Sequence, residues 1–208
     1  MKTCYACDAP KTGDEHVPPQ CIFPKDDEYR KNLIKVPSCD EHNLKKCKSD
    51  EYLKFILTSA GGMNELAGSI FGNSVMRMFD RRSHLIDRFI PNLQPIAETA
   101  GFTLDFPRFE SSIAAIARGL FFNETGNKLK CNVRVAWANM LKADYSSAPY
   151  LEIVRYAARV PASYLGANPR VFQYAIDQSK SGKTWLCRLR FYEGLPIVVT
   201  WNETKPMF

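Results

Sequence analysis

MKTCYACDAPKTGDEHVPPQCIFPKDDEYRKNLIKVPSCDEHN, residues 1–43, is the stretch whose reading decides the fold. Cys4-Tyr5-Ala6-Cys7 is a CxxC and Cys39-Asp40-Glu41-His42 a CxxH. Each pair offers two ligands from one tight turn, two such turns complete a tetrahedral site, and soft thiolates suit Zn2+ far better than Mg2+. A redox reading of the CxxC would need a βαβ pattern around it, and none is present. Pro10, Pro18, Pro19, Pro24 and Pro37 punctuate the stretch around short apolar runs such as LIKV at 33–36. That pattern predicts short strands and loops organised by something other than a hydrophobic core, with structural zinc held by Cys4, Cys7, Cys39 and His42. The fourth ligand stays open, because Cys47 or Cys21 is also available to replace His42.

Between the two pairs lie Glu15-His16-Val17-Pro18-Pro19 and Asn32-Leu33, and Asn43 follows His42 directly. Phosphodiester hydrolysis needs a base to activate water and a cation to neutralise charge on the phosphate. Imidazole titrates near neutrality, so His16 suits the base. Glu15 and the Asn43 amide are hard oxygen donors of the kind Mg2+ or Mn2+ takes, with water and phosphate completing the shell.

In this order the residues resemble the HNH (His-Me finger) endonucleases, in the HNN variant because Asn43 stands at the last position. They are similar to bacterial HNH proteins carrying EHVPP and NLIxVPSC motifs, and the resemblance covers about residues 4–55. It implies a zinc-stabilised ββα-metal (treble-clef) finger over residues 1–60. One strand of its hairpin would carry Glu15 and His16, the other would be LIKV, and a helix would start near Asn43. It implies His16 as the base and Asn32 as the residue that ties the loop beneath it, with Glu15 and Asn43 on a catalytic Mg2+ or Mn2+. Cleavage would leave a 3′-hydroxyl and a 5′-phosphate. His42 stands where the family usually has Cys, and Glu15 where Asp is more frequent. If His42 were the active-site residue displaced by one position, the zinc would need Cys47.

Beyond Ser49 the period changes. SDEYLKFILTSAGG has a Ser cap, early acids and a Gly-Gly stop, which predicts a helix. Helical spacing continues through residues 74–90, 107–122, VRVAWANMLKA and YLEIVRYAARV, so the middle reads as helical, with Phe121, Phe122, Tyr150 and Tyr156 in its core. RVFQYAIDQ, TWLCRLRFY and LPIVVTW alternate instead, which predicts an antiparallel meander closing the chain. In the second of these, Trp185, Cys187, Leu189 and Phe191 share one face, and Arg188, Arg190 and Tyr192 a solvent-facing other. The fold class is therefore α+β, with residues 61–208 forming a helical region and its meander packed on the finger.

The 208 residues, 45% hydrophobic and 24% charged, exclude a disordered tail, a collagen and a coiled-coil rod. Five of the seven cysteines fall in the first 47 residues, whereas a secreted disulfide scaffold would spread them. With no apolar run of membrane length and no apolar leader, the expectation is a cytoplasmic protein without a membrane partner. Residues 1–50 hold nine Lys/Arg and nine Asp/Glu, so the rest of the chain supplies the whole net charge of +6. Arg77, Arg81, His84 and Arg88 recur at three- and four-residue spacing, which aligns them on one helix face and makes Arg77, Arg81 and Arg88 candidate phosphate contacts. His84 itself reads as solvated. SGKT at 181–184 lacks the first Gly of a P-loop and precedes a strand, so it carries no nucleotide reading. The expected partner is nucleic acid, double-stranded DNA first. A non-catalytic treble-clef module binding nucleic acid or protein, and an RNA-cleaving toxin or defence nuclease, are the alternatives; oligomeric state is not legible.

Overall fold

β1 (Gly13–His16) and β2 (Lys35–Ser38) pair antiparallel, Glu15 opposite Val36 and His16 opposite Lys35. The computed structural model describes residues 2–43, 47–96, 99–137, 152, 155–157, 159–194 and 196–206. The second strand lies two residues later than LIKV, yet Val17 N–H still donates to Ile34 O at 3.0 Å, and left-handed Asn32 (φ 54°) ends the ladder. Residues 44–46, where the helix start near Asn43 would fall, lie outside the described residues.

α1 (Cys47–Ser59) sinks Tyr52, Leu53, Phe55, Ile56 and Leu57 into the core. Its Phe55 ring lies 5.4–5.7 Å from those of Phe79, Phe89 and Phe102, within the range of offset and edge-to-face packing. The single helix expected over 74–90 is three pieces. α2 (Glu65–Ile70), capped by Asn64, runs into a π-helical turn at Phe71–Met76; α3 (Arg77–Arg81) ends where Arg82 leaves helical space (φ −143°, ψ 64°), and α4 (His84–Phe89) begins afresh. A short β3–β4 hairpin follows (Gln94–Ile96 and Thr99–Gly101).

α5 (Phe106–Thr125) is started by the Asp105 side chain, which accepts from Arg108 N–H at 3.2 Å, and stopped by left-handed Gly126. Its Phe109, Ile113, Ile116 and Leu120 are buried. The stretch VRVAW, expected to be helical, is strand β5 (Cys131–Trp137). Its Cys131, Val133 and Val135 alternate with exposed Asn132 and Arg134, and that alternation prevails over the helix formers that follow. Residues 138–151, with Tyr150, lie outside the described residues, and Tyr156, expected in the core, is 60% exposed.

The meander is three strands of a larger antiparallel sheet in the order β5-β9-β8-β7-β6, with β6 Leu165–Asn168, β7 Phe172–Gln178, β8 Thr184–Phe191 and β9 Ile197–Pro206. α5 covers one face, Phe109 stacking on Trp137 and Phe121 edge-on to Trp185 and Trp201. The opposite face was expected to meet solvent, but it is buried at Arg188. That guanidinium pairs with Asp177 and donates to the Ala157, Val160 and Pro161 carbonyls. Tyr192 is buried too, its hydroxyl donating to Ile22 O at 2.6 Å.

One hydrophobic cluster runs from Cys4 and Tyr5 through Val17, Val36 and α5 to Trp201. Zinc was expected to replace burial in the first 60 residues; instead that segment shares the core of the rest. No helix among the described residues is long and apolar enough to cross a membrane.

Candidate metal centre and the His16 face

The two ligand pairs meet. Cys4, Cys7, Cys39 and His42 place Sγ, Sγ, Sγ and Nδ1 within 4.8 Å of one another. Cys7 Sγ and Cys39 Sγ are 3.7 Å apart, and Nδ1 lies 3.7, 3.6 and 3.3 Å from the sulfurs of Cys4, Cys7 and Cys39. A tetrahedron with ordinary Zn–S and Zn–N bonds has edges of about 3.8 Å between sulfurs and about 3.5 Å between sulfur and nitrogen. The group can therefore hold a metal such as zinc without moving its backbone.

Local hydrogen bonds build this geometry. The Cys39 carbonyl accepts from His42 and Asn43 N–H, closing the second turn. Ala6 N–H donates to Cys4 Sγ at 3.4 Å, and Tyr5 N–H to Pro37 O at 2.7 Å, which ties the first turn to β2. Burial alone would raise the Cys4 thiol, but the backbone N–H groups of Ala6, Cys39 and Cys7 outweigh it and bring it below its ordinary value. Lys128, just after α5, fixes the same turn through Thr3 Oγ1, Cys7 O and Asp8. Cys21 is not a competitor for His42: its Sγ faces Asp50 O on α1, and burial pushes its thiol up to about 12. The Cys47 side chain lies outside the described residues.

Side chains alternate along β1, so Gly13 and Glu15 face one way and Asp14 and His16 the other. Glu15 is only 6% exposed, accepts from Ser38 Oγ at 3.4 Å, and stands near Tyr5, whose phenol is raised by burial first and by the Glu15 charge second. Asn43 lies on that face as well: a Cβ on Gly13 would be 3.7 Å from Asn43 Nδ2, which donates to Asp14 O. The structure thus sets Glu15 and Asn43 on one face of β1 and His16 on the other, opposite Lys35. Asn32 is exposed, and no hydrogen bond among the described residues joins it to the His16 loop; what it contributes is its left-handed turn.

His16 is half-buried, and its imidazole is held below its ordinary value by burial first, then by the charges of Lys35 and Arg30, against weaker opposition from Asp14 and Glu15. That depression favours the neutral ring, the form able to accept a proton. Neither cation is evident from the sequence: Lys35 is identified only by the strand register, and Arg30 only by the loop that carries it past the hairpin.

The arginines divide. Arg77 and Arg81 line a cavity with Arg30 and Lys54. Arg88 does not join them, because the break at Arg82 turns α4 away; its charge instead acts on Arg108. His84 is exposed, as expected.

Comparison with family models, with characterised proteins and with solved structures finds no match to this chain.

Proposed function

We propose that the chain is a metal-dependent endonuclease that hydrolyses phosphodiester bonds, built on an HNH-type ββα finger closed by structural zinc. The observation that carries the reading is His16: a half-buried imidazole at the end of a strand, opposite Lys35 and within reach of the Arg30 charge, on a hairpin tied to a Cys3His group. In this reading His16 takes the proton of the attacking water, and Lys35 and Arg30 hold the phosphate and offset its charge. Glu15 and Asn43, the oxygen donors on the opposite face of β1, would hold Mg2+ or Mn2+, which when bound supplies charge neutralisation at the phosphate. The expected substrate is DNA.

Zinc-loaded protein should nick supercoiled plasmid with Mg2+ or Mn2+ and stop when the divalent ion is chelated. His16→Ala should slow cutting by roughly two to four orders of magnitude while zinc content and nucleic-acid binding persist. Wild-type protein that cuts neither DNA nor RNA under any divalent ion, or His16→Ala that cuts as fast as wild type, refutes the reading.

One observation favours a second reading, a non-catalytic zinc module binding nucleic acid. The enclosed Glu15 carboxylate has Ser38 and Tyr5 around it rather than open solvent, whereas Mg2+ usually keeps several waters. The plasmid assay separates the two.

A further inference from the structure

A cavity of about 570 Å³ opens between the loop after β1 and the helices α1 to α3. Six of its lining residues are cations, Lys25, Arg30, Lys54, Arg77, Arg81 and Arg82, against one carboxylate, Glu51. Glu51 is taken up by Arg82 at 3.7 Å. Arg77, Arg81 and Lys25 have no ion-pair partner among the described residues.

Lys54 gives the cavity its direction. It is 9% exposed, and its Nζ donates to Ser74 Oγ at 3.1 Å, with no carboxylate of a described residue within ion-pair distance. Asp50 and Glu51 lie one turn earlier on α1, but neither pairs with this ammonium directly, so its charge faces the cavity and attracts an anion there. Ser74 and Asn73 reach the cavity from the π-helical turn, a distortion that recurs at functional sites. Arg30 is held in place by donating to the carbonyls of Pro24 at 2.8 Å and Phe23 at 3.3 Å. Phe23, Ile70 and Met78 supply an apolar wall beside these cations.

We infer that this cavity binds a nucleotide unit, its phosphate on Lys54, Arg77 and Arg81 and its base or sugar against the apolar wall. Guanidinium forks match phosphate oxygens in pairs, and the volume is that of a small-molecule site rather than of a duplex groove. The unit is either part of a single strand or a free nucleotide. Arg30 lines this cavity, and its charge also acts on His16. The inference does not depend on the hydrolytic reading, because binding is measured without cutting.

The test is calorimetric titration of the zinc-loaded full chain, without Mg2+, with thymidine 5′-monophosphate, a 5′-phosphorylated dinucleotide, a short single-stranded DNA and hexaglutamate. Lys54→Met should weaken binding by about tenfold or more, since charge-assisted hydrogen bonds to phosphate are lost. Because this substitution also removes the hydrogen bond to Ser74, thermal melts of each variant check that the fold is kept. The exposed double variant Arg77→Ala/Arg81→Ala should do the same, and Arg88→Ala, which does not line the cavity, should bind as wild type does. Binding of the monophosphate identifies a free nucleotide as ligand; binding of the dinucleotide and the strand alone identifies a strand. No binding of any nucleotide probe, unchanged affinity in both cation variants, or equal binding of hexaglutamate overturns the inference. Binding without any cutting by wild type would leave the cavity and remove the nuclease.

Discussion

Gly119→Ala tests whether α5 holds the His16 loop. Gly119 is buried on the helix, and a Cβ there would lie 2.6 and 3.0 Å from the two methyls of Val17, the residue after His16. Real Cβ atoms essentially never come that close to another heavy atom, so the helix or the loop must shift. Val17 is itself buried, and β-branching leaves it little freedom to rotate away. Two effects oppose one another. Replacing Gly by Ala inside a helix gains roughly 1 kcal/mol of propensity. Overpacking a close contact costs about 1–3 kcal/mol, and two stiff methyls place this case in the upper part of that range. The net expectation is a loss of about 1 kcal/mol, or a melting temperature lower by roughly 2–4 °C for a chain of this size. The same substitution in a Val17→Ala background should reverse sign, because the colliding methyls are gone and the propensity gain remains. Thermal melts of the four proteins in this cycle give the coupling directly. A Gly119→Ala single variant that melts higher than wild type would refute the packing argument.

Two further perturbations read the site itself. Because burial, Lys35 and Arg30 depress the His16 imidazole, the unfolded chain binds more protons than the folded one as pH falls below 6.5; this contribution to stability is intact above that value and is lost as pH falls through the folded value. NMR titration of zinc-loaded protein without added divalent ion should place the His16 midpoint below 6.5, and Lys35→Ala should raise it; an unmoved midpoint would dismiss Lys35 as a neighbour of the ring. Metal analysis should find one zinc per chain, and Cys39→Ser should lose it. Since the first turn shares the common core, that variant should also lower the melting temperature of the whole chain rather than loosen one end; folded, zinc-free wild type would refute the site.

The metal group was legible because ligation depends on residue type and short spacing, both of which are local. The helices α1 and α5 were legible because their period lies within one stretch, although α1 begins at Cys47, ahead of the Ser49 read as its cap. What failed were non-local properties. Arg188 reads as a solvent-facing alternate of β8, but the carbonyls of Ala157, Val160 and Pro161, distant in sequence, enclose it. β5 ends in Ala136-Trp137 and then Ala138, Asn139 and Met140, so a window taken across it mixes two periods. The break at Arg82 has no Gly or Pro to announce it, and it was this break that separated Arg88 from Arg77 and Arg81.

The position of His16 is fixed from several directions by residues far apart in the chain. The Cys3His group closes the hairpin from one end through the Tyr5 to Pro37 bond, and Lys128 staples that group to the segment after α5. α5 presses Gly119 against Val17, and Tyr192 reaches Ile22 from the far edge of the sheet's turn. A catalytic or binding imidazole needs its ring held to within a fraction of an ångström, and a two-stranded hairpin is marginal alone. A metal held by these four ligands would supply closure but little apolar burial. Tyr5, Val17 and Val36 are buried in the cluster that continues into α5, so a finger cut away from residue 61 onward would expose them. The larger part of the chain is therefore the scaffold that gives the short motif its geometry, and the cation-lined cavity is built where that scaffold and the motif's own loop meet, with Arg30 contributed by the loop and Lys54, Arg77 and Arg81 by the helices.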